Sequence, residues 1–177
     1  MIDVRHADGN DLNHETTTRL AELVNNVYGD AESDLWKPNT STRTNPVEIA
    51  DHIKKGELLV ARLNGNIVGV CKVCHSSEGI CEFGMLAADP DCRGVGIGRE
   101  LVSSAEKWAR NAGYETMRLE LLTPRDGINK TKEFLKIWYT RIGYAPAFTV
   151  PFEEEFEHRI NDFAQACDFT VWLKPLK

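Results

Sequence analysis

Residues 89–102, DPDCRGVGIGRELV, place glycines at the alternate positions Gly94, Gly96 and Gly98, directly before an apolar-periodic run. Glycine is costly in ordered structure unless the backbone needs a positive φ or another group must approach it closely. A strand, a glycine-rich turn and a helix start together present free backbone N–H groups at the positive end of a helix dipole. The stretch is therefore typical of an anion site, most often for phosphate, although a turn that is merely tight would need the same glycines.

Two familiar phosphate motifs do not fit this loop. A Walker loop needs Gly-Lys-Ser/Thr, but Gly98 is followed by an arginine and a glutamate. The dinucleotide fingerprint G-x-G-x-x-G needs a glycine at position 99 after Gly94 and Gly96. The pattern that does fit is R-x-x-G-x-G, formed by Arg93, Gly96 and Gly98.

The composition is that of one ordinary globular domain, which we assign to residues 1–177, with 42% hydrophobic and 27% charged residues. A formal net charge of −6 argues against nucleic acid as a partner, which would favour a basic face. It is compatible with a cationic substrate such as an amine. No apolar run is long enough to span a membrane, so we expect no membrane partner.

Cysteine usage indicates a reducing compartment. The odd set of five, with no secretory segment after Met1, predicts free thiols and a cytoplasmic location. Cys71 and Cys74 form a C-x-x-C, but neither a helix start nor a second pair follows them. We therefore interpret both as strand residues rather than as a redox or zinc site, and expect no metal.

Hydrophobic periodicity predicts an α/β (α+β) domain with a mixed, mainly antiparallel sheet of about seven strands flanked by helices. An interior glycine, Gly84, predicts a bulge or a close backbone approach in the strand before the loop. In the helix after the fifth strand, Phe134, Trp138 and Ile142 are expected on the buried stripe. Strands are predicted at 1–7, 57–63, 67–75, 79–89, 115–122, 146–152 and 168–176, and helices at 12–28, 45–55, 97–112, 131–142 and 152–167.

The stretch LAADPDCRGVGIGRELV, residues 86–102, resembles the strand, turn, pyrophosphate loop and helix of the GNAT family of acetyl-CoA-dependent N-acetyltransferases. The predicted order of elements resembles that family over nearly the whole chain. Further on, IWYTRIGYAP resembles the family's F-Y-x-x-x-G-F segment, with Tyr139 and Gly143 in register. The resemblance implies the GNAT fold and acetyl-CoA as cosubstrate.

The resemblance also implies which residues hold the cofactor. Leu86, Ala87 and Ala88 would pair their backbone with the pantetheine arm, as a strand accepts an extended ligand. Backbone N–H groups would hold the pyrophosphate, and the two arginines would add positive charge or remain solvated. The loop residues concerned are Arg93, Gly94, Val95, Gly96, Ile97, Gly98 and Arg99.

Amine acetylation needs a base, because an alkylamine of pKa near ~10 is almost entirely protonated at neutral pH. Glu82 is the candidate base, since it occupies the position of the strand glutamate that some family members use. Its sequence neighbours Cys81, Phe83 and Met85 predict an apolar setting. The alternative is a structural or solvated Glu82, with ordered water as the base.

Tyr139 is the candidate acid, which would protonate the coenzyme A thiolate; the alternative is a packing tyrosine. Where many members have an asparagine seven residues before this tyrosine, the chain has Lys132, and Asn129 is out of register, so that role is not transferred. A backbone N–H near Leu86 would meet the oxyanion. We expect direct transfer, because Cys81 and Cys92 lack a nearby histidine in a nucleophilic signature.

The acceptor is expected near residues 29–39, where Asp34 and Trp36, with Asp30 and Glu32, would hold a cationic amine or form a solvated loop. His75, at a strand end, is either a second proton carrier or structural. We favour a small-molecule primary amine, because the helix at 152–167 would narrow a peptide groove. The alternatives are a protein N-terminal or lysine acetyltransferase and a non-catalytic acetyl-CoA binder. A homodimer is left open.

Overall fold

A computed structural model describes residues 1–40, 42–155 and 157–177. One sheet contains seven strands in the order β1-β2-β3-β4-β5-β7-β6. The strands are β1 (Ile2–His6), β2 (Leu58–Leu63), β3 (Asn66–Ser77), β4 (Ile80–Ala88), β5 (Thr116–Pro124), β6 (Ala145–Pro151) and β7 (Cys167–Pro175). The helices are α1 (His14–Ala31), α2 (Pro46–Lys54), α3 (Ile97–Asn111), α4 (Lys130–Arg141) and α5 (Phe152–Glu155).

The sheet is mixed and mostly antiparallel, as the sequence predicts. The predicted turn between β2 and β3 has Asn64 at φ 52° and Gly65 at φ 85°, the positive values that a tight hairpin requires. β4 and β5 run parallel, and their pairing covers Ile80–Glu82 with Thr116–Arg118. Among the described residues the two strands pair no further, so they diverge into a wedge toward their carboxyl ends.

Helices cover both faces of the sheet. The larger core lies under α3 and α4, and α1 and α2 cover the opposite face around Leu58, Val60 and Val70. Gly69 of β3 lets α3 approach closely, because a Cβ there would lie 2.6 Å from Cγ2 of Ile97. The first turn of α3 is therefore seated directly on the sheet. None of the described helices is both long enough and apolar enough to cross a membrane.

The predicted buried stripe of α4 is partly wrong. Phe134 is 62% exposed, and Trp138 and Ile142 are only half-buried, whereas Lys132 and Tyr139 are buried. The helix turns Lys132 inward, where its ammonium pairs with a buried carboxylate, and Phe134 and Trp138 line a cleft. Hydrophobic periodicity does not register such a partner.

The helix predicted at 152–167 is replaced by α5 and a separate 3₁₀ helix at Glu157–Asp162; Phe156 lies outside the described residues. The rings of Phe152 and Phe163 have centroids 4.0 Å apart. In a continuous helix these residues would be separated by about 16 Å, so their packing requires the chain to turn back. Both rings join a third hydrophobic cluster with Leu35, Leu122 and Phe169.

Candidate active site

A cleft of about 1080 Å³ runs from the glycine loop, past the end of β4, to the segment that follows α1. Its walls include Tyr139 on α4 and Trp36 after α1. Most of the predicted site residues line it: Glu82, Leu86, Ala88, Arg93, Gly94, Gly96, Ile97, Gly98 and Arg99. These residues lie within 82–99, and the fold brings them together with Trp36 and Tyr139, which are distant in the sequence.

The glycine loop presents free amides to the cleft. Gly94 and Gly96 have φ values of 80° and 90°, which favour glycine. Within the described chain, the N–H groups of Gly94, Gly96, Ile97, Gly98 and Arg99 donate to no protein acceptor. A Cβ on Gly94 or Gly96 would meet nothing within 4 Å, so the loop is open on the side where a ligand would approach.

Val95 and Ala87 differ from the other predicted cofactor residues. The N–H of Val95 donates to the Cys92 carbonyl at 3.4 Å, and Val95 does not line the cleft. Ala87 is buried against α1 and α2, because alternate residues of a strand point to opposite faces. Any contribution of Ala87 to a ligand site would therefore come from its backbone.

β4 contains a bulge where it turns away from β5. Val70 pairs with Ala87, but Lys72 pairs with Gly84, so β4 has one extra residue. The predicted bulge is present, but the strained φ of 49° falls on Met85 rather than on Gly84. A Cβ on Gly84 would meet nothing within 4 Å, so no protein group approaches it closely.

The backbone N–H of Leu86 donates a hydrogen bond to the hydroxyl oxygen of Tyr28 at the end of α1. Burial raises the pKa of Tyr28, and nearby Arg43 and the Leu86 hydrogen bond partly oppose this rise. The guanidinium of Arg43 lies 4.5 Å from the centroid of the Tyr28 ring. Sequence analysis did not identify either residue, since nothing local connects Tyr28 to a strand residue so far along the chain.

Glu82 lies on β4 in a polar setting, not the apolar one predicted. Its carboxylate is 3.3 Å from Nη1 of Arg118 on β5, and its side chain is 29% exposed. Cys81 and Phe83 pack in the core on the opposite face of the strand, so they do not surround it. Arg118 also donates to Ser76 Oγ at 3.1 Å and pairs with Glu120. The alternation of Arg118 and Glu120 with apolar residues in β5 was the sequence signal for this pairing.

Tyr139 is buried in an aromatic cluster on the α3–α4 side of the sheet. Its ring centroid lies 6.1 Å from that of Phe83 and 5.9 Å from that of Tyr144. Burial raises the pKa of Tyr139 well above its usual value, so the phenol keeps its proton. No described side chain hydrogen-bonds to the hydroxyl, and the residue lines the cleft. The proton of Tyr139 is therefore available to a ligand.

Comparison with known proteins identifies the family. The sequence profile described as the acetyltransferase (GNAT) family matches residues 19–128, more than half of the chain and including the glycine loop. The chain belongs to the GNAT acetyltransferase family. No curated protein matches it significantly.

Solved structures share the fold of this GNAT chain. PaiA N-acetyltransferase from Thermoplasma acidophilum, in complex with coenzyme A, has a TM-score of 0.71 at 16% identity, covering 99% of each chain. YncA from Salmonella typhimurium, with its cofactor acetyl-CoA, has a TM-score of 0.69 at 18% identity, covering 99% of this chain and 94% of the other. N-acetylglutamate synthase from Neisseria gonorrhoeae, complexed with coenzyme A and N-acetyl-glutamate, has a TM-score of 0.67 at 17% identity. All of this chain corresponds to 35% of that synthase.

A buried ion pair lies in the wall of the cleft, away from the glycine loop, in this GNAT protein. Lys132 on α4 pairs with Glu32, whose second oxygen accepts from Nε1 of Trp36 at 2.9 Å. The Lys132 and Glu32 side chains are each 4% exposed. Lys132, which stands where many members have an asparagine, is thus committed to Glu32 rather than to a ligand.

Two predicted acceptor residues lie outside the cleft lining. Asp34 accepts from Nδ2 of Asn129 at 2.6 Å, which uses its carboxylate to fix the start of α4. His75 is exposed at the far end of β3, with Nδ1 3.4 Å from the Tyr114 hydroxyl. Of the predicted acceptor residues, the cleft wall includes Trp36 but neither of these two. The described residues contain no cluster of three or more His, Cys, Asp or Glu that could hold a metal.

Proposed function

We propose that the protein transfers the acetyl group of acetyl-CoA directly to the primary amine of a small molecule. The observation that supports this most is the continuity of one cleft: the free amides of the glycine loop, the unpaired edge of β4 and the Tyr139 hydroxyl all face it. A pyrophosphate at the loop would place an extended arm along β4. The acyl end of such an arm would then reach the Leu86 backbone and Tyr139.

The glycine loop fits a diphosphate by its own chemistry. Its free N–H groups lie at the first turn of α3, where the helix dipole favours negative charge. Arg93 and Arg99 line the same end of the cleft and add positive charge. The arm of the cofactor would hydrogen-bond to the backbone of β4 where β5 has diverged, as a peptide adds to a strand edge.

The transfer itself needs three proton movements. Glu82, oriented by Arg118, would take one proton from the ammonium, directly or through water, so that the neutral amine can attack. As the new N–C bond forms and the C–S bond breaks, Tyr139 would give its proton to the departing thiolate sulfur, and the second proton lost by the nitrogen would pass through water to the Tyr139 phenolate. The Leu86 N–H would stabilise the intermediate oxyanion, which requires the Tyr28 hydroxyl to release or share that amide.

A small acceptor is supported by the closed wall opposite the loop. Trp36 forms a bridge with Phe163, and the Lys37 N–H donates to the Asp162 carbonyl at 2.8 Å. The segment after α1 is therefore joined to the segment before β7, which leaves less room for a peptide than an open groove.

All five cysteines are free thiols, which supports the cytoplasm as the place of action.

The test is release of free thiol from acetyl-CoA in the presence of amino acids, amino sugars and polyamines, with mass spectrometry of the products. We expect a product 42 Da heavier than its amine (one acetyl group in place of one hydrogen, about +42 by atomic mass) and a kcat for Tyr139→Phe reduced about 100-fold or more. Coenzyme A affinity of this variant, measured by calorimetry, should stay near that of the wild type. Tight coenzyme A binding without turnover of any amine would support the non-catalytic alternative, and an unchanged kcat in Tyr139→Phe would remove the acid assignment.

A further inference from the structure

Most carboxylates at the acceptor end of the cleft are already neutralised by the protein. Glu32 pairs with Lys132 and accepts from Trp36. Glu82 and Glu120 both pair with Arg118. The expected acidic pocket for a cationic amine is therefore largely cancelled by internal partners.

The positively charged side chains that line the cleft are not all neutralised in the same way. Lys132 is committed to Glu32, and Arg159 donates to Asp162 Oδ2 at 3.1 Å. Away from the glycine loop, Arg43 is the cleft-lining cation that has no carboxylate within 4.0 Å among the described residues. An arginine facing a cleft without an acidic partner has unused N–H donors, five in a planar fork that matches an oxyanion.

Arg43 is held next to the proposed site of reaction. Its guanidinium lies over the ring of Tyr28, and the hydroxyl of that ring meets the Leu86 backbone. Asn25 on α1 fixes the backbone beneath it: its Oδ1 accepts from the Arg43 N–H at 2.9 Å and from the Thr44 N–H at 3.1 Å. Nδ2 of Asn25 donates to the Thr44 carbonyl at 2.9 Å. The position of Arg43 is thus set by two residues of α1: Asn25 holds its backbone and the Tyr28 ring packs against its guanidinium.

We infer that the acceptor is an amine that also carries an anionic group, a carboxylate or a phosphorus oxyanion, and that Arg43 binds this group. The inference rests on the proposed function, because it specifies the acceptor of the same cleft. Asp30, on the same wall, likewise has no ion-pair partner in the described part of the chain, and it would meet the ammonium before deprotonation. The two unpaired charges together complement a zwitterion.

The experiment compares pairs of amines that differ only in the anion. One arm uses free α-amino acids against their primary amides, and a second uses aminoalkylphosphonates against their diesters. For the wild type we expect kcat/KM to be about 10- to 100-fold higher for the charged member of the preferred pair, the size of a charge-assisted bidentate contact. Arg43→Gln should reduce that preference to about 3-fold or less, and Arg43→Lys should restore part of it.

The matched control is Arg141→Gln, which removes an exposed arginine of α4 that does not line the cleft. It should leave the preference unchanged, which separates binding by Arg43 from a change in net charge. Unfolding temperatures of all three variants show whether the fold is intact. Calorimetry with the N-acetyl product and its amide provides a readout that does not depend on turnover.

The outcomes are distinguishable from failure of the proposed function. Equal rates for charged and neutral members, faster neutral members, or a preference that survives Arg43→Gln would each overturn the inference while leaving acetyl transfer intact. Absence of both turnover and product binding for every pair would also overturn it. In that case calorimetry with coenzyme A still shows whether the glycine loop binds the cofactor.

Discussion

Replacing Lys132 with methionine is the sharpest test of how the acceptor wall is held. The substitution keeps an unbranched side chain of similar length but removes the ammonium that pairs with Glu32. Glu32 then remains buried, and its carboxylate keeps the hydrogen bond from Nε1–H of Trp36 at 2.9 Å. A carboxylate in that situation has lost its compensating charge without gaining water.

The expected cost follows from burial. Both side chains of the pair are 4% exposed, so solvent cannot replace the lost partner. Breaking a buried pair by removing one ion costs about 3–5 kcal/mol, which is a large part of a typical stability of about 5–15 kcal/mol. For a chain of this size the melting temperature should fall by about 6–20 °C.

The chain offers a matched control on the same helix. Lys136 pairs with Glu133 at 2.7 Å, but these side chains are 37% and 49% exposed. Lys136→Met should cost only about 0–1 kcal/mol, because an exposed pair gains little from its Coulomb interaction. Urea denaturation followed by circular dichroism measures both free energies of unfolding.

A double variant isolates the charge from the packing. Glu32→Gln combined with Lys132→Met removes both charges and leaves an amide oxygen that can still accept from Trp36. We expect the double variant to recover most of the loss, because a buried ion pair is often replaceable by neutral groups at little cost. If Lys132→Met costs no more than Lys136→Met, the buried pair does not hold the wall as described.

Three further outcomes are expected. Gly96→Asp should abolish coenzyme A binding in calorimetry. Gly79 also has a positive φ (70°) but lies in a remote turn, so Gly79→Asp should leave binding unchanged. Equal affinities in the two variants would contradict the loop assignment. Coenzyme A should protect Cys92, which lines the cleft, from alkylation at about pH 8, whereas the other four cysteines should react slowly with or without it, because burial raises their pKa values; peptide mass spectrometry showing no protection of Cys92 would argue against the site. Burial lowers the pKa of His6, so the unfolded state binds more protons than the folded state below about pH 6.5. The stability advantage of the wild type over His6→Gln should therefore shrink as the pH falls from about 7.5 to about 5.5. A difference in the free energy of unfolding that stays constant over this range would refute the argument.

The geometry of the glycine loop was predictable because it lies in the backbone. Gly94 and Gly96 reveal their positive φ in the sequence itself, and the helix start that follows them fixes the direction of the free amides. Gly84 was less informative. It correctly predicted the bulge, but the residue with the positive φ is Met85. A bulge can place its strained residue one position away, and sequence alone does not distinguish the two.

The acceptor end was not predictable because its contacts join distant parts of the chain. Lys132 meets Glu32, and Asn129 meets Asp34, across about 100 residues. In the sequence, Glu32 and Asp34 look like free carboxylates for a cation, but the fold supplies each with an internal partner. Arg43 lies in a polar loop, where nothing in the sequence singles it out, yet its guanidinium N–H groups are left without a carboxylate partner among the described residues.

The two ends of the cleft therefore depend on the sequence in different ways. The loop amides need only glycines and a helix start, so their ligand is set by local geometry that does not depend on the rest of the cleft. The acceptor wall is built by side chains that α1, α4 and the segment before β7 bring together, and a change in any one alters which charges remain unpaired. In this chain the balance leaves Arg43 over Tyr28 with no ion-pair partner among the described residues, so we expect acceptor choice to depend on the charges that the fold leaves unpaired rather than on the net charge of −6.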